Sequence, residues 1–160
     1  MNNGKYFREL DFARCDFYFR TGLTTLFFGP RAILPIFKKF FGSKDQEEKY
    51  YIVQHGAMIR YRRPIPFLMP FVVKTKLVYF DKRSLYFEQS FISKPDNFVR
   101  AVAFSKNTVV NCPDLIEFMK KTTGMVQPEC PTELVKFIEA DEISSNKLKA
   151  ERIDEFFKTK

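Results

Sequence analysis

Between Asn2 and Gly22 the apolar positions recur at helical spacing. Tyr6, Leu10, Ala13 and Phe17 predict one buried face, with Arg8, Asp11, Arg14 and Asp16 mostly off it. Asn2-Asn3 reads as the helix start, because an Asn side chain can accept a free first-turn N–H. Thr21-Gly22 reads as its stop, with Gly22 free to take the left-handed cap. Asp16 and Arg20 are spaced as an i, i+4 ion pair.

The pattern then loses its period. Phe27-Phe28-Gly29-Pro30 breaks the chain, and residues 27–49 read as a basic aromatic loop holding a short helix. Residues 50–62 are rich in β-formers and predict a strand with a bulge at Gly56. Pro64, Pro66 and Pro70 bracket a hinge-like link. Residues 71–80 alternate, with Lys74 and Lys76 on one face and Val73, Thr75, Leu77 and Tyr79 on the other. Strands over 84–93 and 98–108 follow after short turns, making a meander. Helical stretches over 114–121 and 131 to about 157 close the chain. One helix followed by antiparallel strands is an α+β arrangement.

Composition narrows the function. The 160 residues suit one domain with a sizeable core, and 20 Phe and 7 Tyr make it strongly aromatic. The net charge of +8 attracts anions: nucleic acid, an anionic membrane face, or a phosphate-bearing carrier such as coenzyme A. The bases are spread along the chain with no zinc-finger, RNP-type or basic-zipper pattern, so nucleic acid is not an expected partner. A solvated basic surface is the plain alternative. Cys15, Cys112 and Cys130 form no C-x-x-C pair and suit a reducing compartment, with a Cys112–Cys130 disulfide the minor alternative. The single histidine, His55, and the lack of G-x-S-x-G, Walker and G-x-G-x-x-G motifs remove the usual supports for serine hydrolase, zinc enzyme, kinase and dehydrogenase chemistry. No cofactor and no metal site are expected.

The string MNNGKYFRELDFAR at residues 1–14 resembles the opening of the central helix in hotdog-fold acyl thioesterases, closest to the member-six branch of that superfamily. Ile59-Arg60-Tyr61-Arg62-Arg63 resembles the family's second strand, Leu85-Tyr86-Phe87-Glu88 its fourth, and residues 131–150 its C-terminal helix. The resemblance implies an α+β hotdog fold, a central helix wrapped by a curved antiparallel sheet. Residues 1–112 would form the hotdog domain and 113–160 a helical extension packing on it. It also implies a homodimer and an intracellular setting, at the endoplasmic reticulum membrane or in the cytoplasm. In the family a first strand and an Asp-containing loop precede the two asparagines. The expectation is therefore a chain shortened at its N-terminus, without that loop's carboxylate.

Thioester hydrolysis needs oxyanion donors and a base or nucleophile. The helix start offers the backbone N–H groups of Asn3 and Gly4 as donors, or the asparagines simply cap the helix. Glu9, at an offset resembling the catalytic carboxylate of one hotdog branch, is the candidate base. A surface or interface ion pair with Lys5, Arg8 or Arg14 is its other reading. Asp11 and Arg14 fit a structural pair, and His55 and Phe7 fit structural roles. Tyr6 is a substrate-pocket candidate that also suits the core. Arg60, Arg62 and Arg63 are candidates for the phosphates of coenzyme A, or an exposed strand end. Phe37, Phe40 and Phe41 interleaved with Lys38 and Lys39 suit a membrane interface, with an acyl-tunnel lid and a satellite core as rivals. The expected function is binding or hydrolysis of a fatty acyl thioester such as acyl-CoA. A non-catalytic, membrane-associated lipid-homeostasis or acyl-binding protein is the alternative.

Overall fold

A computed structural model of the protein describes residues 1–24 and 50–150. The loop over 27–49, with Phe37, Lys38, Lys39, Phe40 and Phe41, lies outside the described residues, as does the chain beyond 150. The chain divides into two compact units, Met1–Pro128 and Glu129–Lys160.

In the first unit, α1 spans Asn3–Thr21, capped by the Asn2 side chain and closed by Gly22 at φ 76°. Four antiparallel strands follow: β1 (Tyr51–Tyr61), β2 (Phe71–Phe80), β3 (Ser84–Ser93) and β4 (Val99–Val110). Their order across the sheet is β1-β4-β3-β2. Helix α2 (Leu115–Thr123) starts at Asp114, whose carboxylate accepts the N–H groups of Ile116 and Glu117. In the second unit, α3 spans Thr132–Ala150, and the N–H groups of Leu134 and Val135 donate to the Pro131 carbonyl. No helix among the described residues is long and apolar enough to cross a membrane. None of the three cysteines is in a disulfide.

Two bulges decide which side chains face α1. On β1 the register shifts between Gln54 and Gly56, so His55 is the extra residue. The inward set changes there from Tyr61, Ile59 and Ala57 to Gln54 and Ile52, because one extra residue inverts the period-2 alternation. On β2 the shift falls between Leu77 and Tyr79. Tyr79 therefore does not share the face of Leu77, as simple alternation predicts. It pairs with Tyr86, and Phe80 enters the core instead.

The buried stripe of α1 is Tyr6, Leu10, Arg14 and Tyr18, while Ala13 and Phe17 are half-buried. Arg14, expected mostly off the buried face, is 5% exposed and points at the sheet. Apolar packing lies on either side of it. Tyr18, Leu77, Phe80, Phe87 and Met119 belong to one cluster, and Tyr6, Leu10, Ile65 and Phe91 to another. Each fully buried side chain of this size is worth about 1.5–3 kcal/mol relative to exposure.

Candidate active site

At the start of α1 the Asn2 Oδ1 accepts the Lys5 N–H at 3.0 Å, and the Asn2 carbonyl accepts from Lys5 and Tyr6. The N–H groups of Asn3 and Gly4 are those that helix geometry leaves without an intrahelical acceptor, and they carry the positive end of the helix dipole. The Met1 amino group donates to the Ile65 carbonyl at 2.9 Å, tying this end to the link between β1 and β2. Tyr6 is buried, edge-on to Tyr61 at 5.1 Å and to Phe91 at 4.8 Å. Burial pushes its phenol above the ordinary value, with Ile65 and Arg100 acting the other way.

The same end of the molecule concentrates positive charge. The guanidinium carbons of Arg62, Arg63 and Arg100 lie 4.7, 4.5 and 5.2 Å from the centroid of one ring, Phe98. The backbone brings them together, since the N–H groups of Arg62 and Arg63 both donate to the Arg100 carbonyl. Arg100 is buried, donates through Nε to Ser93 Oγ at 2.8 Å, and pairs with Asp96. Arg62 and Arg63 are exposed, and among the described residues no carboxylate pairs with either. Among the described residues one carboxylate, paired with Arg100, therefore stands beside three cations. Arg60 lies exposed earlier on β1, opposite Val102, outside this group.

The sequence marked Arg62 and Arg63 and missed Phe98, Arg100 and Asp96. The Lys94–Asn97 turn was legible. That Asp96 reaches back to Arg100 depends on where the turn ends. The Ser93 hydroxyl, the Phe98 N–H and Arg100 hold the Asp96 carboxyl below its ordinary value, with burial opposing them. A depressed folded-state value stabilises the fold above the unfolded value near 3.8, and that gain disappears as pH falls through the folded value. The stability difference between the wild type and Asp96→Asn is thus expected to shrink below about pH 4 in urea titrations at stepped pH. A difference that stays constant into acid would rule out this linkage.

Glu9 lies further along α1, paired with Arg8 at 2.9 Å. Two clefts meet at it. One of about 580 Å³ runs between α1 and β2, lined by Phe12, Asp16, Phe17, Arg20, Val73 and Thr75 among others. The other, about 300 Å³, lies between Lys5, Arg8 and the Ile65–Met69 link. Glu9 and Phe71 line both. Phe7 is partly exposed on the same helix.

Beneath the helix a polar row crosses the whole sheet. Arg14 donates to Gln89 Oε1 at 3.2 Å, to Ser105 Oγ at 3.1 Å, and to Gln54 and Asp11. Gln89 Nε2 in turn donates to the Leu10 carbonyl at 2.9 Å and to Thr75 Oγ1 at 3.2 Å. Asn107 joins through Ser105. Burial lowers the Arg14 pKa and the nearby Asp11 raises it. Thr75 connects this row to the wall of the larger cleft. His55 lies exposed at the bulge of β1. Among the described residues no group of three or more His, Cys, Asp or Glu side chains could hold a metal.

The sequence profile of a family described as the thioesterase-like superfamily matches residues 1–123. The chain belongs to the thioesterase-like superfamily. It is similar to Protein THEM6 of Drosophila melanogaster, 39% identical over 153 residues, 95% of this chain and 69% of that protein. Protein THEM6 of Xenopus laevis is 34% identical over 152 residues, 94% of this chain and 65% of that protein. The chain thus spans about two thirds of the length of these relatives. Among solved structures, a gentisyl-coenzyme A thioesterase superposes with a TM-score of 0.50 at 17% identity, over 69% of this chain and 75% of that one. The superfamily member described here has an α+β hotdog fold, with α1 wrapped by the antiparallel sheet.

Proposed function

We propose that the chain binds a fatty acyl thioester of a phosphate-bearing carrier, the acyl-CoA class, and hydrolyses it. The observation that carries this reading is the convergence of Arg62, Arg63 and Arg100 on Phe98, with Asp96 the one carboxylate paired to them among the described residues, close to the N-terminus of α1. Guanidiniums suit phosphate oxygens, which they meet with paired, charge-assisted hydrogen bonds. The acyl chain would follow the clefts along α1, past Phe12, Phe17 and Phe71.

In this reading the thioester carbonyl oxygen faces the Asn3 and Gly4 N–H groups, which stabilise the developing oxyanion. Water attacks the carbonyl carbon, Glu9 takes its proton, and the C–S bond breaks to release a thiolate that is then protonated. Glu9 lies about 7.5 Å further along the helix axis than Gly4. A homodimer is part of the proposal, favoured by the edge strand β1 with Tyr51, Val53 and Met58 exposed.

The test compares long-chain acyl-CoA with the same acyl group on pantetheine, which lacks the phosphates. Arg62→Ala/Arg63→Ala is expected to weaken acyl-CoA binding about tenfold and leave acyl-pantetheine unchanged, by calorimetric titration. An equal loss for both, or none for acyl-CoA, would refute the phosphate role. Binding of both without thiol release would favour the non-catalytic acyl-binding protein.

A further inference from the structure

The link between β1 and β2 has an unusual tip. Phe67 and Leu68 are 87% and 85% exposed, although both are large and apolar. They are held outward from both sides. Ile65 is buried on one side and Met69 is half-buried on the other. The Met69 N–H donates to the Pro66 carbonyl at 3.3 Å, and the Lys94 N–H holds the Pro70 carbonyl at 2.9 Å. Pro64, Pro66 and Pro70 fix backbone angles around the turn. Leu68 itself has φ 61°, a conformation that a branched side chain rarely adopts and that Gly or Asn fills more easily. Nothing the two side chains pack against within the first unit explains a leucine in that place.

The surroundings are cationic. Lys5 and Arg8 line one cleft with Phe67 and Leu68, and its one lining carboxylate, Glu9, is paired with Arg8. Arg62 and Arg63 are exposed at the start of the link, and the exposed Lys94 sits at its end. We propose that the Phe67–Leu68 tip inserts into the interfacial layer of an anionic lipid bilayer while these cations meet the lipid phosphates. An apolar tip ringed by Lys and Arg matches that layer in both polarity and charge. A second copy matches it poorly, because two-fold pairing through the tip would set like charges face to face. The inference shares Arg62 and Arg63 with the thioester reading, and its lipid readouts test it whether or not acyl-CoA binds.

The chain has no tryptophan, so Phe67→Trp places a single reporter at the tip. With vesicles of about seven parts phosphatidylcholine to three of phosphatidylserine, its emission is expected to shift to shorter wavelength. Lipids brominated on the acyl chains are expected to quench it. Phosphatidylcholine vesicles alone should do neither, and added salt should weaken the effect. Phe67→Ser/Leu68→Ser should lower vesicle binding about tenfold or more with an unchanged unfolding midpoint. Three results would overturn the proposal. They are an unquenched reporter, vesicle binding by the double variant equal to wild type, or a dimer that the double variant dissociates in the absence of lipid.

Discussion

Arg14→Ala is expected to destabilise the fold by about 2–4 kcal/mol, read as a lowered urea midpoint. The residue is buried in the middle of the sheet, and its side chain serves acceptors on three strands and on its own helix. Truncation leaves the buried Gln89 oxygen without its donor, at about 1–3 kcal/mol, while Ser105 Oγ keeps the Asn107 amide as a donor. It also opens a cavity the length of an arginine side chain. Relief of the buried charge's desolvation offsets part of this, which keeps the net figure below the simple sum. Arg14→Lys should recover little, since an ammonium cannot reach acceptors spread across a planar fork. Arg14→Met/Gln89→Leu should recover more than Arg14→Met alone, because it removes the stranded amide as well. A loss below about 1 kcal/mol for Arg14→Ala would mean the row is solvated and of little energetic weight.

The second large effect concerns turnover. If Glu9 removes the proton from water, Glu9→Gln should lower the rate of thiol release from acyl-CoA about 100-fold or more. Substrate affinity should change far less, since the amide keeps the shape of the cleft wall where Glu9 lies. The measurement is single-turnover hydrolysis alongside equilibrium binding. Unchanged turnover would return Glu9 to the role of an Arg8 partner on the helix surface. Parallel loss of rate and binding would point to a disturbed cleft.

Much of this architecture is legible in the chain. Strands β2 and β3 follow directly from alternation between turn signals, and the ends of α1 follow from Asn2 and Gly22. What escapes a linear reading is where tertiary partners override local type. Arg14 reads as surface because it is charged, yet Gln54, Gln89 and Ser105 come from three separate strands to satisfy it. The bulge at His55 is hinted at by Gly56, but its inversion of inward and outward residues appears once β1 pairs with β4. The site divides the same way. Arg62 and Arg63 stand out as a basic pair, while Phe98 and Arg100 join them through a pairing of strands distant in sequence. Phe67 and Leu68 fall in the link that Pro64, Pro66 and Pro70 bracket, and their exposure follows from how its two ends are held.

The polar row also acts as a key for strand alignment. Alternation by itself forbids a slip of one residue, which would turn the apolar face outward, but it tolerates a slip of two. Gln89 on β3 sits opposite Thr75 on β2. A two-residue slip would set it against Val73 or Leu77 and move it away from Arg14, leaving a buried amide without partners. The Phe- and Val-rich strands on either side cannot distinguish the two alignments by hydrophobicity alone. One layer of amide, hydroxyl and guanidinium groups, set between two greasy ones, makes the correct alignment the one in which every polar group is answered.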